Sequence, residues 1–329
     1  MSPPSAIGPG LTPRFGSFGV AGGYESYGLR AVDPDRPRAV WLRHTIFRAP
    51  GEAPVGSSWI TIFGAGAPTG RSLLTHKASD SDPTVDGGRL RVGDSVFGAR
   101  GVEGAAGPAE WDLTWGGSEQ PVRHPPLGLP ARPPAPRTRG ETLWPGLRVG
   151  GRVNVGATTV ELEGWPGVVV HSWGAQRAER WIRLHVVALE DRPADWLNVA
   201  IGRVRLGPAT APWLANGTVS LGGERLRIGA LARARVDEGP LHLDLSVQGR
   251  AACVHVTVHG QRDQTVVWRY ADPDGSEHHV CSCAVAGLAA VVRRRGSAPV
   301  TLRTAHGAAY ELGMREAPDG LTVQRFPDP

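Results

Sequence analysis

The sequence predicts an all-β protein of two antiparallel halves, each a barrel or a sandwich, joined by a proline-rich connector. Three observations carry that expectation. The chain has 45 Gly and 29 Pro in 329 residues, punctuation that suits many short strands and turns better than long helices. The stretches between them are β-branched, aromatic and partly alternating, which fits a pleated, half-buried surface. One stretch, 121–146, is so dense in proline that it breaks the pattern. At this length the prior is about two domains or one large all-β unit. A hydrophobic share of 40% with 11 Trp supplies a sizeable core.

Residues 1–14 read as a loose tail. The N-terminal half, 15–120, opens with "YESYGLRAV", "RAVWLRHTIF" and "SSWITIFGAG", separated by Pro or Gly turns. Two-residue alternation puts Val40, Leu42, His44 and Ile46 on one face and Trp41, Arg43, Thr45 and Phe47 on the other. Both faces carry apolar bulk, as in a strand covered on two sides or lining a barrel. "AEWDLTWGG" places Trp111, Leu113 and Trp115 on one face. Proline lacks the ladder N–H, so "PVRHPPLGLPARPPAPRTRGETLWPG" (121–146) is expected to be an irregular, extended connector of polyproline character. The C-terminal half, 147–329, resumes short strands such as "TTVELEGW", "LHLDLSVQG" and "AACVHVTVHG". "ADPDGSE" has Pro and Gly where a hairpin turn needs them. No segment keeps a 3.6-residue apolar period beyond about two turns, and no internal repeat has a fixed period.

A net charge of +5 and a pI of about 9.6 raise nucleic acid or an anionic membrane as partners. The distribution argues against both. The arginines are scattered, and the one compact run, Arg293-Arg294-Arg295, has no interleaved aromatics to stack bases. Lys77 is the only lysine, a bias of genomic composition before it is one of function. "MSPPSAIGPGLTPRF" lacks a basic stretch followed by an apolar one, and no apolar run is long enough to span a membrane. Cys253, Cys281 and Cys283 are too few for a disulfide scaffold. A cytoplasmic monomer or homodimer is expected, with no nucleic acid partner and no stable membrane insertion.

The richest stretch is "VVVHSWGAQRAERWIRLHVV", 168–187. Read as two strands around a short "GAQRA" connection, it puts His171 and Trp173 on one face and Glu179, Trp181, Arg183 and His185 together on the next strand. If these faces meet in a cavity, they give apolar walls with a few oriented polar groups, the make-up of a small-molecule pocket. His171 would move a proton or donate a hydrogen bond. Trp173 and Trp181 would form walls able to stabilise a cation, and Arg183 would anchor an anion or carbonyl. The alternative is structural: Ile182, Leu184 and Val186 face the core while Arg183 and His185 sit in water. Tyr24, Glu25 and Tyr27 in the first strand also suit a site, or ordinary aromatic packing.

"EHHVCSC" puts His279, Cys281 and Cys283 on one strand face. Zinc takes these residue types, but same-face neighbours on a strand lie about 6.6 Å apart, and the C-x-x-C knuckle is absent. No metal and no cofactor are expected. The serine elbow, P-loop, H-E-x-x-H and dinucleotide motifs are all missing.

"GGYESYGLRAVDPDRPRAVWLRHTIFRAPG" followed by "GSSWITIFGAG" resembles the opening of the lipocalin-like proteins grouped with hydroxyneurosporene synthase (carotenoid hydratase) and tocopherol cyclase. The Pro-rich middle, "HSWGAQRAERW", "YADPDGSEHH" and "AAYELG" are also similar to that group. The resemblance runs from about Tyr24 to Arg325. It implies two lipocalin-like barrels with a ligand cavity, and hydratase, cyclase or isomerase chemistry. In the hydratases a His-x-Trp pair and a later Tyr-x-Asp pair supply the acid. Here His171-Ser172-Trp173 matches the first pair, while "DWLNVAIGR" offers Trp196 and Asn198 where the second is sought. Protonating an isolated alkene needs a strong, well-placed acid, so the departure favours a cyclase that works by shape and hydrogen bonding.

The expected function is thus a cofactor-independent cyclase or isomerase acting on an elongated apolar polyketide or isoprenoid. The expected catalytic residue is His171. Trp173, Trp181, Arg183, Tyr27, Trp41 and Asn198 are expected to bind substrate, in a cavity of the C-terminal half near the N-terminal half. A carotenoid-type hydratase and a non-catalytic carrier of a hydrophobic small molecule are the alternatives. A carboxylate within reach of His171 would restore the hydratase reading.

Overall fold

The computed structural model describes residues 11–64, 73–78, 80–124, 138–206 and 209–324. The only helical turns among them are two three-residue 3-10 turns, Phe15–Ser17 and Arg262–Gln264. The chain is all-β, as its turn-bounded segments predicted. In chain order the first strands are β1 (Gly23–Val32), β2 (Ala39–Arg48), β3 (Val55–Phe63), β4 (Leu73–Lys77), β5 (Pro83–Asp86) and β6 (Arg89–Val92). There follow β7 (Ser95–Phe97), β8 (Gly101–Ala106), β9 (Ala109–Gly116), β10 (Val122–His124), β11 (Thr138–Val155) and β12 (Thr158–Gly174). These twelve form one curled antiparallel sheet in the order β4-β3-β2-β1-β12-β11-β9-β8-β7-β6-β5, with β10 paired to β11.

The remaining strands are β13 (Arg180–Val186), β14 (Trp196–Arg203), β15 (Arg205–Leu206), β16 (Ala209–Thr210), β17 (Leu214–Leu221) and β18 (Glu224–Gly239). They continue with β19 (His242–Gln248), β20 (Cys253–His259), β21 (Val266–Ala271), β22 (Glu277–Arg293) and β23 (Val300–Met314). The order β20-β19-β18-β17-β14-β13-β23-β22 closes on itself through β20–β22 pairing, and β21 adds to β22. The result is an eight-stranded barrel without an edge of its own. β15 and β16 pair only with each other.

Three boundaries differ from the sequence reading. The connector expected at 121–146 is strand at both ends, over Val122–His124 and from Thr138 onward; 125–137 lies outside the described residues. Pro145 fits a strand because it falls within a register shift of β11, between Trp144 and Leu147, and bulges are where a sheet accepts proline. The division between sheets falls after Gly174, not at 121–146, because β11 and β12 pair with β9 and β1. Finally, the end of the expected tail is held: Leu11 is buried and the Arg14 amide bonds to Glu25.

β1 sits mid-sheet, and all ten of its residues are buried. Its odd positions Tyr27, Leu29 and Ala31 join the core inside the curled sheet, while Val32 joins the core of the closed barrel. The same split separates Val40 and Leu42 from Ala39 on β2, and Ile60 and Ile62 from Trp59 and Phe63 on β3. The curled sheet therefore has an inner face and an outer face, and the outer face packs on the barrel. Inside the barrel Ile182, Leu184, Val186, Leu197, Val199 and Val256 are buried together. Cys281 and Cys283 are buried with them, and burial pushes the Cys281 thiol up to about 12.

Candidate active site

Strand pairing lines up four side chains across β2, β1, β12 and β11: His44 opposite Tyr27, Tyr27 opposite His171, and His171 opposite Glu141. All four rise from the inner face. The next row carries Glu25 opposite Trp173. His171 Nε2 donates to Glu25 Oε1 at 2.7 Å, with both side chains essentially shut from solvent. Its Nδ1 lies 3.5 Å from Glu141 Oε1. The imidazole is stacked on Tyr27 at 4.1 Å and on Trp173 at 4.4 Å between centroids.

Glu25 is fully engaged. Its oxygens also accept from the backbone amides of Arg14 and Phe15 at 2.8–2.9 Å, and the Arg14 guanidinium lies over the Trp173 ring. The N-terminal segment thus pins the carboxylate that orients His171. Glu141 is different: its side chain keeps 15% exposure and faces Arg123 at 3.5 Å. The hydrogen bond with His171 is the largest influence holding the Glu141 carboxyl below the usual range, against the opposing effect of burial. The Glu141 carboxyl is therefore held ionised beside His171.

Beyond Tyr27 the inner face holds several buried polar atoms without a hydrogen-bond partner: Tyr27 Oη, both ring nitrogens of His44, Ser58 Oγ and Ser95 Oγ. Burial drives the Tyr27 phenol upward, with the Glu25 charge adding to it, so it remains a donor. Burial pulls His44 down to about 4, the Ser95 backbone opposing, so it remains neutral. Phe97 closes this side, 5.5 Å from His44 edge-on. Unpartnered buried polar groups are costly in a dry core and mark a place for water or a polar ligand atom.

The structure brings Tyr27, His171 and Trp173 together and leaves the other expected residues across the sheet. The 168–187 stretch is not a hairpin, because β12 belongs to the curled sheet and β13 to the barrel. His171 and Trp173 therefore do not share one cavity with Trp181 and Arg183. Trp41, Trp181, Arg183 and Asn198 lie where the outer face meets the barrel wall. Trp41 packs edge-on against Trp268. Trp181 Nε1 donates to Glu311 at 3.1 Å. Asn198 Nδ2 donates to Thr142 Oγ1 at 2.8 Å, joining barrel to sheet. Arg177 and Asp272 add an ion pair of 2.7 Å. Ile182, Leu184 and Val186 face the core as the structural alternative had it, but His185 is buried at the junction rather than wet. His279 bonds to the Arg315 carbonyl at 3.2 Å.

Glu25 was visible in sequence as a neighbour of Tyr27, without its link to His171. Glu141 was hidden by its place in the presumed connector. His44 had a signal, a polar residue on the face of Val40, Leu42 and Ile46.

No family model matches the chain. An uncharacterized protein of Mycobacterium tuberculosis strain H37Rv is 25% identical over 281 residues, covering 79% of this chain and 78% of that protein. Among solved structures, kievitone hydratase from Nectria haematococca superposes with a TM-score of 0.56 at 12% identity, covering 94% of each chain. CghA with Sch210972 gives a TM-score of 0.56 at 13% identity, over 90% of this chain and 89% of that one. The fold is that of these lipocalin-like proteins. Among the described residues no helix is long and apolar enough to cross a membrane.

Proposed function

We propose that the chain is an enzyme that adds water to, or moves a proton on, an unsaturated and mostly apolar small molecule, with His171 as acid and Glu141 as base. The observation that carries this is the buried Glu25–His171 contact of 2.7 Å, backed by Glu141 at the other ring nitrogen. A carboxylate on one nitrogen fixes the ring and leaves the other to work, the logic of a triad. In hydration, His171 Nδ1 gives its proton to one alkene carbon while Glu141 takes a proton from the water whose oxygen bonds the other. Return of the proton from Glu141 to His171 across their contact closes the cycle. Tyr27 and Trp173 stack on the two faces of His171 and hold the ring in place. Of the structural neighbours, one bears the name of a hydratase, and the other was crystallised with Sch210972.

Ring closure or double-bond isomerisation is the second reading, favoured by the aromatic sandwich around His171 and by a proton-moving pair that needs no co-substrate. The test is incubation with a panel of acyclic isoprenoid alkenes and linear polyenes in ¹⁸O-labelled or deuterated water, read by mass spectrometry. Labelled oxygen in the product marks hydration, and deuterium without oxygen marks isomerisation or closure. His171→Ala and Glu141→Gln are expected to lower turnover by about 10²-fold or more. Variants that turn over like wild type would refute the assignment.

A further inference from the structure

Where β10 crosses the outer wall of the barrel, a groove of about 600 Å³ is lined by Arg123, Asn216, Thr218, Arg225 and Arg227, among others. Its charges do not cancel. Arg225 is paired with Glu119 at 2.7 Å and Arg123 faces Glu141 at 3.5 Å. Arg227 is exposed and has no acidic partner among the described residues. Behind the groove, Arg183 comes within 3.9 Å of a Cβ built on Gly140 and likewise has no acidic partner among them. Both guanidiniums act on His124, which is pulled down to about 4 chiefly by burial. The His124 Nε2 is buried without a partner. Asn216, itself buried, donates to the Arg123 carbonyl at 3.0 Å and to His124 Nδ1 at 2.8 Å. Asn216 thereby ties the floor of the groove to β10. Two uncompensated guanidiniums beside a groove with a bonded polar floor form a receptor for an oxyanion, since guanidinium matches carboxylate and phosphate geometry.

We propose that this groove is a subsite for an oxyanion, the carboxylate or phosphate of a small-molecule ligand. It lies where β10 meets the barrel wall and is lined by none of the residues around His171, so the anion is bound independently of the chemistry proposed there.

The test titrates the full chain with dodecanoate, dodecanol and inorganic phosphate, following tryptophan fluorescence and thermal shift. Dodecanoate is expected to bind about tenfold more tightly than dodecanol, the scale of a charge-assisted hydrogen bond. Arg227→Gln and the Arg183→Gln/Arg227→Gln pair should erase that preference, with the loss confined to anionic probes, while Arg227→Lys should keep most of it. Competition by phosphate marks a general oxyanion site, and its failure marks a carboxylate site. Equal affinity for acid and alcohol, or a preference that survives in the double variant, overturns the proposal. If neither twelve-carbon probe binds but phosphate raises the melting temperature of wild type and not of Arg227→Gln, the subsite stands as one for inorganic oxyanions. If phosphate fails as well, the subsite falls.

Discussion

His171 has neither a free edge nor a free face: carboxylates meet both nitrogens and aromatic rings cover both sides. Of the two carboxylates only Glu141 keeps solvent contact and a long approach, so it is the one a substrate displaces. Glu25 acts through His171 and is a positioning residue. Glu25→Gln keeps the size and one acceptor oxygen but removes the charge that fixes the ring. Turnover is expected to fall by about 10²- to 10⁴-fold, on the scale of losing the orienting acid of a triad, while the affinity for an apolar ligand changes little. A fall in affinity with turnover intact would assign Glu25 to binding instead. At this scale the sequence revealed what is contiguous. His171 and Trp173 stand two residues apart on one strand, and Tyr27 marks its strand by its aromatic neighbours. His44, Glu25 and Glu141 join them only through pairing between strands 17 to 146 residues apart, which no local pattern carries.

At the scale of elements, alternation was the reliable signal. β9 is buried at every second residue and exposed between, and its Trp111, Leu113 and Trp115 line the inner core as the sequence implied. Alternation assigns a face to each residue of a strand but not a partner sheet to the strand, so β12 and β13 read as one hairpin. Proline density also spread too far, because a bulged strand can hold Pro145. Another element-level device is the pairing of Trp181 on β13 with Gly313 on β23. A Cβ on Gly313 would lie 2.1 Å from the Trp181 ring, which covers the glycine. Gly313→Ala is expected to cost about 1–3 kcal/mol, the range for overpacking, read as a lower urea midpoint. Trp181→Ala in the same background should recover part of that loss. Additive losses would show that the indole does not lie over the glycine.

Across the whole molecule, histidines are buried in a neutral state on both sides of the curled sheet. Burial lowers His44 and His124 to about 4, and His185 and His278 to about 3. Each folded value lies below the unfolded one of about 6.5. Between the two the unfolded chain binds more protons, so their stabilisation is present above about pH 6.5 and is lost as pH falls toward 4. For His44 alone that depression corresponds to about 3 kcal/mol by pH 4. The melting temperature should therefore drop steadily from pH 7 to 4.5, and His44→Phe should flatten part of the slope. A melting temperature constant over that range would contradict the buried neutral state. β1 stands at the centre of this arrangement, with odd residues in the core inside the curled sheet, around His171, and even residues in the joint between the halves. Inheritance can treat one strand as two tracks. Changes at odd positions reshape what is bound, and changes at even positions are filtered by assembly. A duplicated copy of such a gene can acquire a new chemistry before it has to renegotiate its fold.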